Sequence, residues 1–180
     1  MKPLFSSKRL DICQGRELFE QDKVALADAV TRLLTPEVVK ALPESFHERD
    51  NRRQALNWLE LNLAQSELFA VVLKCPRQVI GFILVHGDRQ SRLTSQRQTQ
   101  ANVNIGYLFG EKYWRQGFAV EMLTSLIRYY QQLETVGNLY AGVQAGNIAS
   151  ARLLQECGFS LVKGPDRENL CYRLCLQPAP

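Results

Sequence analysis

The feature that most constrains this chain is one uninterrupted succession of strand, helix and strand. Val103–Phe109 is a short apolar run rich enough in β-branched and aromatic residues to be a strand, and Leu139–Gln144 is another. Between them, Gly117–Gln132 carries Ala119, Met122, Leu123, Leu126, Ile127 and Tyr130 at alternating steps of three and one. That is the stripe of an amphipathic helix with one buried face. Two strands separated by a helix cannot close as a hairpin, so they are expected to pair in parallel with the helix as crossover. The rest of the chain must supply a sheet around that pair and helices to cover it.

The flanking segments fit this demand. Lys8–Gln14 reads as an opening strand and Glu17–Leu34 as a helix. Thr35-Pro36 is an N-cap followed by Pro at the first helical position, starting a short helix that stops by Pro43. A further helix from Glu48 to Gln65 gathers Ala55, Trp58, Leu59 and Leu63 on one face. Leu68–Leu73 and Val79–Val85 are apolar runs joined by Lys74-Cys-Pro-Arg-Gln78, a hairpin-like link. Asp88–Asn102 is polar and long enough to be a loop with a function. After Gln144 come a helix over Ile148–Cys157 and strands over Phe159–Val162 and Leu170–Leu176, the last an exposed edge able to pair subunits. With 46% hydrophobic and 22% charged residues and no repeat or linker, the 180 residues are expected to form a single domain, 1–180. The expected fold is α/β, of the α+β mixed-sheet kind.

Two places in this pattern suggest chemistry. The strand ending near Phe109 passes through a polar loop into a helix opened by Gly117. Backbone N–H groups and the positive end of the helix dipole meet at such a junction and favour an anion. A glycine there lets the main chain come close to a phosphate, and Ala119 is too small to obstruct it. A plain strand-to-helix turn would look the same, so the neighbouring motifs matter. The chain has no Gly-x-x-x-x-Gly-Lys-Ser/Thr and no Gly-x-Gly-x-x-Gly after a strand. A P-loop is thereby excluded and a dinucleotide fingerprint disfavoured, while a different diphosphate cofactor fits. The second place is Gln144-Ala-Gly-Asn147-Ile-Ala-Ser150, where Asn147 stands as a helix N-cap or a ligand contact, with Gly158 ending the same helix.

Taken together, Trp114-Arg-Gln-Gly117-Phe-Ala119, Asn147-Ile-Ala-Ser150 and Gly158-Phe159 resemble the GNAT superfamily of N-acetyltransferases. Within it the resemblance is to the RimJ/RimL type, which acetylates N-termini of ribosomal proteins and other amines. Ser7-Lys-Arg-Leu-Asp-Ile, Thr35-Pro-Glu-Val-Val-Lys-Ala-Leu-Pro43 and Ile105-Gly-Tyr107 match that subgroup too. The resemblance implies a mostly antiparallel sheet of six to seven strands whose two central parallel strands splay to admit acetyl-CoA. It implies that the pantetheine bonds to backbone at Leu108 and Phe109, and that the pyrophosphate rests on amides of Arg115, Gln116, Gly117, Phe118 and Ala119. It assigns Asn147 to the pantetheine arm and Ser150 to reprotonation of the leaving thiolate. Asn104 stands where many relatives carry Glu.

Direct transfer needs a neutral amine, a positioned thioester, a polarised carbonyl and a proton for sulfur. Glu168, Glu111 and Tyr107 are the candidate bases. His47 and His86 read as structural or surface residues, and no spacing of ligands suggests a metal. The five cysteines form an odd set without Cys-x-x-Cys, as suits buried thiols in a reducing cytoplasm; Cys171 and Cys175 read as core, and Cys157 lies at a helix end that disfavours its thiolate. The first residues lack a leader's apolar run, and no stretch nears the ~18 apolar residues of a span, so neither export nor a membrane is expected. The net charge of +4 is scattered, so nucleic acid is not an expected partner except indirectly through the ribosome. The expected partner is an amine acceptor, a protein N-terminus or a small molecule, met by a monomer or homodimer. A non-catalytic acyl-CoA-binding module on the same fold is the alternative.

Overall fold

A computed structural model of the chain describes residues 2–40, 42, 51–87, 101–162 and 169–176. In chain order the elements are β1 (Phe5–Ser6), β2 (Leu10–Gln14), α1 (Gly15–Leu33), α2 (Pro36–Val39), α3 (Arg52–Gln65), β3 (Glu67–Leu73), β4 (Gln78–Gly87) and β5 (Ala101–Phe109). They continue with α4 (Phe118–Leu133), β6 (Val136–Gln144), α5 (Ile148–Glu156), β7 (Ser160–Val162) and β8 (Asn169–Cys175). The hydrogen-bonded strand order is β1-β2-β3-β4-β5-β6-β8-β7. β1/β2, β2/β3, β6/β8 and β7/β8 pair antiparallel, and β5/β6 pair parallel across α4, as the succession of elements requires. Among the described residues the sheet has eight strands where six or seven were expected, a two-residue strand at Phe5–Ser6 adding to one edge. None of the described helices is long and apolar enough to cross a membrane.

The backbone divides into two compact units. Residues 1–84 with 107–122 form the first. Its core collects Leu10 and Ile12 from β2, Val30 and Leu33 from α1, Ile80 and Phe82 from β4, and the full predicted face of α3, Ala55, Trp58, Leu59 and Leu63. Trp58 meets Phe82 edge-on at 5.7 Å. Each short helix is capped by its own side chain. Thr35 Oγ accepts from the Val38 N–H, and Asn51 Oδ1 accepts from the Gln54 N–H, which starts α3 at Arg52. Residues 43–50, in which the expected start at Glu48 falls, lie outside the described residues. α1 is interrupted at Asp22, whose backbone is non-helical and whose Oδ1 accepts from the Ala25 N–H, restarting the helix.

Residues 85–106 with 123–180 form the second unit. Leu123, Leu126 and Tyr130 from α4 are buried in it, as are Leu139 and Val143 from β6, Leu154 from α5 and Tyr172 from β8. Two sequence expectations fail here. Leu170–Leu176 is not an edge: β8 pairs with β6 from Asn138↔Cys175 to Gln144↔Asn169, and β7 covers its other side. The outer strand is thus only three residues long, a common way to blunt an edge. Cys171 and Cys175 are also not core. Tyr172 and Leu176 are the buried residues of that stretch, so the cysteines fall in the opposite phase, half-buried and exposed respectively. Strand periodicity is two, so an error of one residue reverses every side chain. Of the five thiols only Cys13 is buried.

Candidate active site

The first unit holds the turn between β5 and α4. Gly110 donates its N–H to the Ile80 carbonyl of β4. Neighbouring residues of a strand direct their backbone groups to opposite sides, so Phe109 turns its N–H and C=O away from β4. The Phe109 carbonyl accepts the indole N–H of Trp114 at 2.8 Å. That bond folds the loop back over the strand end through a 3-10 turn at Glu111–Tyr113. Tyr113 is buried, and its hydroxyl accepts from the Gln78 amide.

The chain then passes through two left-handed residues, Arg115 at φ 57° and Gly117 at φ 75°. Such conformations turn backbone N–H groups toward one side of a loop. The first intrahelical bond of α4 runs from the Glu121 N–H to the Gly117 carbonyl. The N–H groups of Phe118, Ala119 and Val120 therefore have no acceptor within the helix. Gly117, in the cap position, has no side chain with which to cap them. A Cβ there would be strained by the positive φ and would lie 3.5 Å from Arg9 Nη2. Arg115, Gln116 and Gly117 are exposed, Phe118 is buried and Ala119 half-buried.

Behind this turn lies a network that sequence reasoning did not find. The Arg9 N–H donates to Glu121 Oε1 at 2.6 Å, its Nε to Oε2 at 2.7 Å, and its Nη1 to the Gln116 carbonyl at 3.0 Å. Ser7 Oγ donates to the same Oε1 at 2.6 Å. The Arg9 guanidinium stands 4.2 Å above the Phe118 ring. Burial pushes the Glu121 carboxyl up, but the Ser7 hydroxyl and the Arg9 N–H, guanidinium and charge outweigh it and hold it below its usual value. Arg9 and Glu121 are 112 positions apart, and no periodicity marks such a pair.

The second unit holds Asn147 and Ser150. Asn147 caps α5, its Oδ1 accepting from the Ser150 N–H at 3.0 Å. Gly158, left-handed at φ 89°, ends the same helix as expected, its N–H and that of Phe159 bonding to the Gln155 and Leu154 carbonyls. The β5/β6 register runs to Ile105↔Ala141. Gly106 and Gly142 come next in the two strands, and a Cβ added to either would meet nothing within 4 Å. Up to that point the buried residues of β5 alternate, Val103 then Ile105; beyond it the phase shifts to Leu108 and Phe109.

On the polar face of these strands His86, Gly87, Asn102, Asn104 and Tyr140 line an open cleft of about 440 Å³. Asn104 stands opposite Tyr140 in the register, and Tyr140 opposite Arg173 of β8. His86, read from sequence as structural or surface, belongs to this cleft. Of the candidate bases, Glu111 is exposed on the 3-10 turn, Tyr107 is half-buried on β5, and Glu168 lies outside the described residues, as does His47. The Cys157 thiol is pushed up by burial and by Glu156, against a hydrogen bond with Thr124, so it makes a poor nucleophile. Among the described residues no three His, Cys, Asp or Glu gather into a metal cluster.

A family model described as an acetyltransferase (GNAT) domain matches residues 16–160. Among solved structures, a GNAT-family acetyltransferase from Bacillus anthracis superposes with a TM-score of 0.69 at 19% identity, covering 94% of this chain and 96% of that one. RimL, a ribosomal L7/L12 α-N-protein acetyltransferase solved with coenzyme A, superposes with a TM-score of 0.73 at 13% identity, covering 94% and 96%. The ribosomal-protein-S5-alanine acetyltransferase of Vibrio fischeri gives 0.65 at 16%, covering 98% of each. These likenesses establish a shared fold.

Proposed function

We propose, since this chain belongs to the GNAT acetyltransferase family, that it takes an acetyl group from acetyl-CoA and delivers it in the cytoplasm to a primary amine, foremost the N-terminal amine of a protein. The observation that carries this reading is the left-handed Arg115–Gly117 turn feeding α4, with the N-terminal amides of that helix left without intrahelical acceptors. A diphosphate suits that arrangement, since its charge complements both the amides and the helix dipole. The pyrophosphate is assigned to the amides of Arg115, Gln116, Gly117, Phe118 and Ala119, and the pantetheine to backbone at Leu108 and Phe109. Asn147, whose oxygen is committed to the cap, keeps its NH2 group for the pantetheine arm. Support for an opened strand pair comes from the register through Ile105↔Ala141 and from the empty space over Gly106 and Gly142.

The cleft at His86, Asn104 and Tyr140 is assigned to the acceptor. Its amine must lose a proton before attack, and an imidazole is the side chain best suited to take one near neutral pH. Attack on the thioester carbonyl forms the C–N bond and breaks the C–S bond. The proton lost before attack goes to His86 or to water, and the second, lost from nitrogen as the amide forms, passes through the Ser150 hydroxyl to the coenzyme A thiolate, so that the serine is restored. Aligning the two substrates contributes to the rate by converting an encounter into a step between held groups. A protein N-terminus is favoured by the likeness to RimL, whose name specifies an α-N-protein acceptor, and a ribosomal protein by the likeness to the S5-alanine enzyme.

Thiol release from acetyl-CoA, measured across a panel of ribosomal-protein N-terminal peptides, polyamines, amino acids and antibiotics with mass spectrometry of the products, tests this. Acetylated peptides are expected. Small amines as the only products would move the acceptor class, and coenzyme A binding without any release would leave only the acyl-CoA-binding module.

A further inference from the structure

We propose that Arg9 is a positioning residue for the coenzyme A diphosphate, acting by cancelling the charge of Glu121 and anchoring the turn that presents the amides. This rests on the cofactor reading above and assigns a role to a residue far from the motif in sequence. A carboxylate in the first turn of a helix is favourable for the helix but unfavourable for an anion bound at the same end. Glu121 lies one turn into α4, on the helix whose first amides are assigned to the diphosphate. Arg9 meets both carboxylate oxygens, one through its N–H and one through Nε, and Ser7 adds a third bond. Its Nη1 holds the Gln116 carbonyl, the group between the two left-handed residues. Its Nη2 lies beside Gly117. One guanidinium thus neutralises the carboxylate and pins the turn, leaving no net negative charge beside the place where the anion is to sit. The cation–π contact with Phe118 keeps the group over the first residue of the helix. Lysine carries its donors on one nitrogen and lacks the planar fork that spans these contacts.

The test is calorimetric titration of wild type, Arg9→Gln, Glu121→Gln and the double variant with coenzyme A and with 3′-dephospho-coenzyme A, each variant first checked by its thermal melt. Arg9→Gln is expected to weaken coenzyme A about tenfold, by exposing the anion to an uncancelled carboxylate. Glu121→Gln is expected to tighten it about two- to threefold, leaving Arg9 with its full charge. The double variant should bind more tightly than Arg9→Gln alone, and the Arg9→Gln penalty should be the same for both ligands, which share the diphosphate.

The proposal is overturned if Glu121→Gln weakens binding as much as Arg9→Gln, since the network would then be only structural. It also falls if the penalty vanishes with the dephospho ligand, which would place Arg9 at the 3′-phosphate, or if Arg9→Gln binds like wild type. Should Arg9→Gln fail to fold, Glu121→Gln and the double variant still decide the sign of the charge effect. Failure of the wild type to bind coenzyme A is a different result and removes the cofactor reading itself.

Discussion

Helices α4 and α5 each begin just after a strand of the parallel pair, yet their N-termini are finished in opposite ways. α5 satisfies itself: Asn147 reaches forward and accepts the Ser150 N–H. α4 starts at a glycine that has nothing to reach with, preceded by a second left-handed residue, and its flanking polar groups come from Ser7, Arg9 and Glu121. A cap by the chain's own side chain contributes about 1 kcal/mol and makes a helix end self-sufficient. An end without one is worth keeping where another anion supplies the acceptors. Similar local motifs, a strand followed by a loop and a helix, thus end differently: one helix start is capped by its own side chain, and the other leaves amides that the proposed reading gives to a diphosphate.

That contrast can be attacked directly, beginning with the largest effect. Ser150→Ala should lower kcat by about a hundredfold if its hydroxyl reprotonates the thiolate, with the KM for acetyl-CoA little changed. An unchanged kcat would remove Ser150 from the mechanism. Gly117→Ala should weaken coenzyme A about tenfold in calorimetry and cost about 1–2 kcal/mol of stability, because its backbone is left-handed. Equal affinity for coenzyme A would sink the assignment of that turn to the diphosphate.

Substitution separates the cap that Asn147 makes from the pantetheine contact proposed for it. Asn147→Ala should lose about 1 kcal/mol in chemical denaturation. Asn147→Asp keeps the oxygen that caps α5 and removes the NH2 donor, so stability should return while the KM for acetyl-CoA stays raised. If Asn147→Asp restores both, the residue is only a cap. The smallest effect concerns acid. Glu121 titrates below its ordinary value of 4.5, so its contribution to folding is present above that pH and is lost as pH falls through the lower folded value. The melting temperature of wild type should accordingly drop more steeply in that acid window than that of Glu121→Gln, and parallel curves would show that the network adds nothing to folding.

Much of this was legible from periodicity and punctuation. The α3 face of Ala55, Trp58, Leu59 and Leu63 and the buried Met122, Leu123, Leu126 and Tyr130 of α4 follow from the helical repeat, since burial of one stripe is the main force placing a helix. Thr35-Pro36, Asn147 and Gly158 announced their helix ends because caps and left-handed residues have few suitable side chains. The interruption at Asp22 was not visible, because an Asp that caps a restarted helix looks like any polar residue on a solvated face. His86 is exposed, as a surface reading expects, but that Asn104 and Tyr140 from other strands line the same cleft was not visible, because no pattern along the chain marks such a grouping.

By itself the amino-acid order determined most of the elements, the parallel pair across α4 and the glycine at its helix start, all of which follow from contacts within a few residues or from the geometry of one crossover. Only the tertiary structure decided that β8 lies inside the sheet, with Tyr172 rather than its cysteines turned inward. It likewise decided that Arg9 meets Glu121 beside the glycine that opens α4. Such pairings join residues far apart in the chain, and their partner is chosen by packing and charge in space, which leave no repeat along the sequence.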